Sequence, residues 1–161
     1  MALHRDQSLQ PLSRQHHQGL LVSLLLSKGL KKNLATKPMR DFILQYWQDD
    51  LCKHFEAEEK SLVPIANTYA ELVPLITRML LEHQQIVLLI NRINNEARAE
   101  QLETIKEFAD KLEEHIRFEE RELFEQMQIT LSAEDMSLLN LAFNTIAEKD
   151  FCERYDNKFW E

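Results

Sequence analysis

A chain of 161 residues with a net charge of −8 has the length for one domain with its own core, and its acidity excludes a nucleic-acid binder, which needs a basic face. Two glycines and four prolines among many leucines, glutamates, lysines and glutamines predict an all-α chain. No apolar run approaches the roughly 18 residues of a membrane span, and the start MALHRDQSLQ lacks the apolar stretch of a secretory signal. Cys52 and Cys152 are too few for a disulfide framework, so reduced thiols in a cytoplasm are expected.

The first helix is predicted from about Ser8 to Leu30, with Leu20, Leu21, Leu24 and Leu25 on one face and Gly29 with the LKKN stretch closing it. Thr36 is the expected N-cap of the second, Pro38 sits in its first turn, and the helix runs to about Leu62, ended by Pro64. Its stripe is Phe42, Trp47, Leu51 and Phe55. A short connection leads to Pro74, in the first turn of a third helix that reaches about Asn95. The fourth spans roughly Glu100 to Gln128, through Ile105, Phe108, Leu112, Ile116, Leu123 and Phe124. Ser132-Ala-Glu-Asp135 reads as a capping box opening a shorter fifth helix to about Lys149. Four long helices with short loops predict an antiparallel up-down four-helix bundle over about 8–128, with a C-terminal helix and tail over about 132–161, in a single domain covering 1–161.

Four or five of the six histidines fall on these helices. His54-Phe-Glu-Ala-Glu58-Glu59 on the second helix and His115-Ile-Arg-Phe-Glu119-Glu120 on the fourth state one pattern twice, and residues four apart share a helix face. The first and third helices add His16 or His17, and His83. Counted from the helix ends at about 1.5 Å per residue, all these groups fall in a band roughly 10 Å deep near one end of the bundle. A lone His-x-x-x-Glu is ordinarily a surface pair. Four imidazoles and two carboxylates converging at one depth instead match a dinuclear transition-metal site. Left without a ligand, each buried polar group would cost roughly 1–3 kcal/mol. Spacing of four favours Glu58 and Glu119 over Glu59 and Glu120. The phase of the first helix favours His17, which is followed by Leu20, Leu21 and Leu24, over His16, which is followed by Gly19, Leu20 and Ser23.

With Gln15-His16-His17, Lys53-His54-Phe-Glu-Ala-Glu58-Glu59, Glu82-His83-Gln-Gln-Ile86 and His115-Ile-Arg-Phe-Glu119-Glu120, the chain resembles the hemerythrin-like, or HHE cation-binding, domain from about Leu9 to Gln128. The resemblance implies a four-helix bundle with two non-haem iron ions, oxo- or hydroxo-bridged. Carried across, His17, His54, His83 and His115 become terminal ligands, and Glu58 and Glu119 bridge. Zinc, nickel or manganese suit the same donors. The oxygen-carrying hemerythrins have a further histidine four residues before the one matching His83. Met79 stands there, which sets reversible oxygen transport in doubt.

The resulting expectation is sensing, scavenging or detoxification of O2, NO or peroxide. Its rivals are an iron storage, delivery or centre-repair protein, a di-iron peroxidase or oxidase, and a structural bundle binding zinc or nothing. Trp47, Leu51, Phe108, Leu112 and Leu24 are expected as an apolar floor below the site, and Gly19 as merely tolerated, with the close approach of a neighbouring helix or a small ligand as the alternative. The aromatic tail Phe151 to Trp160 is expected to pack over the bundle, with docking onto a second subunit of a homodimer as the alternative.

Overall fold

The computed structural model describes residues 4–146 and 150–161, and no strand occurs among them. α1 is Gln10–Lys31. α2 is a rod over 36–66 in which the α-helical stretches Thr36–Tyr46, Cys52–Ala57 and Val63–Ala66 alternate with π-helical turns at Trp47–Leu51 and Glu58–Leu62. α3 is Val73–Asn95. α4 covers 98–130, with the π turn Glu119–Leu123 between Arg98–Phe118 and Phe124–Thr130. α5 is Ala133–Phe143 and α6 the single turn Phe151–Arg154. α4 packs along both α1 and α3, and α2 touches α3 and α4.

Several boundaries differ from the sequence expectation for identifiable reasons. Gly29 stays inside α1, and Asn33 closes it with a φ of 51°, one of the few residue types that enter the left-handed region readily. Thr36 is the first helical residue rather than the cap. Its Oγ1 donates to Gln101 Oε1 at 3.0 Å, tying the starts of α2 and α4 together. Pro64 does not end α2. The π turn before it has the Val63 N–H bonded to the Glu58 carbonyl, five residues back, and this wider turn accommodates the ring. Ser132 caps α5 as expected, accepting from Asp135 N at 3.1 Å, but α5 stops at Phe143; Lys149, the expected end, lies outside the described residues.

The apolar side chains gather in two clusters. One holds Val22 and Leu26 of α1, Met39 and Phe42 of α2, Ile86 and Ile90 of α3 and Ile105 and Phe108 of α4. The other holds Leu12, Leu62, Ile76, Met79, Leu123 and Phe124, with Leu139 and Phe143 of α5. Each long helix passes from one cluster to the other, and the switch falls at a histidine or glutamate: His16, then His54 and Glu58, then His83, then His115 and Glu119. The polar layer therefore lies between two dry regions. The end of the bundle beyond the layer is covered by Leu139 and Phe143 of α5. α3 is also long and apolar enough, by length and composition, to cross a membrane, contrary to expectation; its inner face carries the buried Glu82 and His83.

α1 is rotated relative to the sequence expectation. Its inner face is Leu12, His16, Gly19, Val22, Ser23 and Leu26, while His17 faces solvent and Leu24 is 53% exposed. Leu24 is thus not part of the floor, whereas Leu51, Phe108 and Leu112 are buried and Trp47 packs partly against them. Nor is Gly19 merely tolerated. A Cβ there would lie 2.5 Å from Ile116 Cδ1 and 3.1 Å from the Tyr46 hydroxyl, so the glycine permits the close approach of α1 to α4 and α2. The aromatic tail folds back over the bundle, with the rings of Phe151, Tyr155, Phe159 and Trp160 at 5.0–5.4 Å from that of Phe42.

Candidate metal centre

The two His-x-x-x-Glu pairs close as helical geometry requires. His54 Nε2 lies 2.8 Å from Glu58 Oε1, and His115 Nε2 lies 2.7 Å from Glu119 Oε1. The single histidines complete a crossed arrangement. His83 Nε2 is 2.9 Å from Glu58 Oε2, and His16 Nε2 is 2.9 Å from Glu119 Oε2. Each carboxylate therefore turns one oxygen toward the pair His16 and His54, whose Nε2 atoms are 3.1 Å apart, and the other toward the pair His83 and His115. All six groups are buried, the two carboxylates completely.

A π turn begins at each of these glutamates, and Leu62 and Leu123 at the far ends of those turns are both fully buried. The extra residue in the turn resets the helical phase, so the inner stripe continues past the carboxylate. Such π turns concentrate at functional positions.

Outside the six lies a ring of supports running from helix to helix. His54 Nδ1 donates to Gln15 Oε1 at 2.6 Å, His83 Nδ1 to Glu59 Oε1 at 2.9 Å, and His115 Nδ1 to Glu82 Oε1 at 2.9 Å. His16 Nδ1 faces Glu120 Oε2 at 3.5 Å without hydrogen-bond alignment. In each helix the residue beside an inner group thus reaches the histidine of the next helix, and α4 returns to α1. Glu59 and Glu120 are therefore outer partners, while Gln15 and Glu82 were missed in the sequence. Their position directly before His16 and His83, like that of Glu59 and Glu120 directly after an inner glutamate, was the available signal.

Placement separates the two histidine candidates of α1. His16 joins the cluster, and His17, preferred on phase, does not. That preference took large apolar residues as the mark of the inner face. Here the inner face beside the cluster includes the small residues Gly19 and Ser23, and at Gly19 the neighbouring helices approach too closely for a side chain.

Charge in the cluster is strongly perturbed. Burial and the neighbouring Glu119 push the Glu58 carboxyl up, but His54 and His16 outweigh them and hold it at about 2. Burial likewise opposes the ionised form of Glu119, yet His115, His16 and His83 keep it well below the usual carboxylate range. Burial disfavours the charged form of His83, but Glu119 and Glu58 raise it to about 10. His16 and His115 are raised in the same way. Without metal, His16, His83 and His115 are thus drawn toward the imidazolium form, in ion pairs with Glu58 and Glu119.

Those pairs are poorly satisfied. Both oxygens of Glu58, both of Glu119, and Nε2 of His83 and His115 are buried with no aligned hydrogen bond, although they crowd together at hydrogen-bond distances. Orphaned buried atoms of this kind require an explanation. Two sets of ligand atoms, one from His16, His54, Glu58 and Glu119 and the other from Glu58, His83, His115 and Glu119, each lie within 4.8 Å of one another. Imidazole and carboxylate donors of this type suit first-row transition metals, so the residues fit a metal pair sharing the two carboxylates. Met79 is fully buried in the second apolar cluster.

Comparison with known proteins agrees with this chemistry. No curated protein and no solved structure matches the chain. The family model for the hemerythrin HHE cation binding domain matches residues 9–127, which contain all six inner groups and all four outer partners, and the chain belongs to that family.

Proposed function

We propose that the chain is a non-haem di-iron protein on an up-down four-helix bundle, acting in a cytoplasm to sense, scavenge or detoxify O2, NO or peroxide. His16 and His54 would hold one ion and His83 and His115 the other, with Glu58 and Glu119 serving both. The observation that carries this reading is the crossed arrangement, in which each buried carboxylate offers one oxygen to each histidine pair. When bound, such a pair of ions supplies redox chemistry and coordination positions for a small ligand.

The chain's own residues restrict what reaches the centre. A small cavity of about 10 Å³ beside His16, His54 and His115 is walled by Gln15, Tyr46, Leu51, Phe55, Leu112 and Ile116. It has about the volume of one water-sized molecule, which favours a diatomic ligand over an organic substrate. Glu58 and Glu119 are themselves fully buried, away from bulk water. The test is metal analysis and visible spectroscopy of protein loaded with iron under anaerobic conditions, followed by stopped-flow mixing with O2, NO and peroxide. Two irons per chain and a fast spectral response to one of these ligands are expected. Fewer than one iron per chain, or an inert centre, refutes the reading.

Iron storage or delivery is the second reading. It is favoured by a cavity of about 210 Å³, lined by Asp49, Asp50 and Lys53 among others, that reaches His54 from the surface.

A further inference from the structure

The ring of outer partners is not symmetric. On one side, His83 and His115 each donate from Nδ1 to a carboxylate at 2.9 Å, Glu59 and Glu82 respectively. On the other side, His54 donates to the neutral amide of Gln15, and the Nδ1 of His16 stands 3.5 Å from Glu120 with no aligned hydrogen bond. A carboxylate behind an imidazole fixes the ring and raises its basicity, and losing such a partner typically weakens metal binding about 10–100-fold. An amide fixes the ring but adds no charge. Glu120 is, besides, drawn outward by Ser13, whose Oγ donates to it at 2.9 Å, and by Arg5 at 3.6 Å.

The weaker side is also the accessible one. Gln15 and His54 line both the 10 Å³ inner cavity and the 210 Å³ outer one, with Tyr46 between the same two spaces. The outer cavity carries the carboxylates of Asp49 and Asp50 and the amides of Gln15 and Gln18, oxygen donors of the kind that hold a divalent cation while it sheds water. His83 lines neither of these two cavities.

Building on the di-iron reading, we propose that the ion on His16 and His54 is the exchangeable one, that it comes and goes through the cavity beside His54, and that Gln15 is the positioning residue that sets its lability. The ion on His83 and His115 is the retained one. The centre therefore loads and empties in order, with the retained position filled first.

The experiment is chelator challenge of protein loaded with two ferrous ions under anaerobic conditions, following iron release by the absorbance of a ferrous chelate. The wild type should lose one ion per chain at least about tenfold faster than the other. Gln15→Glu should slow the fast phase about tenfold and leave the slow phase alone, with two ions still bound at the start. Gln18→Trp, which narrows the cavity without touching the inner groups, should slow the fast phase in both directions, loading and release. His54→Ala should retain only the slow ion and His115→Ala only the fast one. A chain that loads no second ion overturns this proposal and the di-iron reading together. A chain that loads two and releases them in one phase, or whose fast ion survives His54→Ala, overturns this proposal alone.

Discussion

Replacing each adjacent histidine of α1 by alanine tests the orientation of that helix. His16 is 2% exposed, with Nε2 at 2.9 Å from Glu119 and 3.1 Å from His54 Nε2, and its ring is stacked on Phe124 at 5.3 Å between centroids. His17 faces solvent. His16→Ala should bring metal content from two ions per chain to one. An ion present at a hundred times its dissociation constant adds about 2.7 kcal/mol to stability. For a chain of this size that corresponds to a fall in melting temperature of roughly 5–11 °C. His17→Ala should keep both ions and change stability by no more than about 0.5 kcal/mol, as for other surface positions. Removing a buried imidazole also weakens the metal-free protein, so the melting temperature alone does not decide the matter. Metal content by elemental analysis, measured on both variants after the same reconstitution, does. If His17→Ala loses an ion and His16→Ala keeps both, α1 is turned by about 100°, one residue of a 3.6-residue helix, and the crossed arrangement of carboxylates is wrong.

Three further outcomes follow from the same geometry. In metal-free protein, Glu58 at about 2 contributes stability above pH 4.5 that is lost as pH falls, and His83 at about 10 contributes stability below pH 6.5 that is lost as pH rises. The metal-free melting temperature should therefore peak between those values, and the loaded form at higher pH because ligation requires neutral imidazoles; coincident profiles would refute the assignment. Thr36→Val should leave Gln101 Oε1 buried without its 3.0 Å partner and destabilise the chain by about 1–3 kcal/mol, measured by denaturant unfolding, with metal content unchanged. Because Met79 is an apolar core residue rather than a ligand, the reduced protein should oxidise quickly in air without a reversible oxygen-dependent spectrum, and Met79→His should prolong one; a wild-type spectrum that reverses for hours on removing oxygen would overturn this.

The His-x-x-x-Glu pairs and the depth of His83 were legible in the sequence because they depend only on helical rise and periodicity, which are local properties of the backbone. The N-cap at Ser132 and the first-turn placement of Pro74 are local in the same sense, and the structure has both, although the return half of the expected capping box is replaced by Tyr69, whose hydroxyl accepts from Ser132 N and donates to Asp135. The face of α1 was not legible, since Gly19 becomes part of an inner surface only when Ile116 and Tyr46 arrive from other helices to fill the space beside it. Pro64 misled for a related reason. The π turn that accommodates it bonds Val63 to the carbonyl of Glu58, and the side chain of that residue meets His54 one turn earlier in the same helix and His16 and His83 across the bundle. Which residue stands behind each imidazole was likewise decided only by tertiary packing. Gln15, Glu59, Glu82 and Glu120 each serve a histidine on a different helix, and a partner supplied by another helix depends on the azimuth at which two rods meet, which no period in a single strand of sequence encodes.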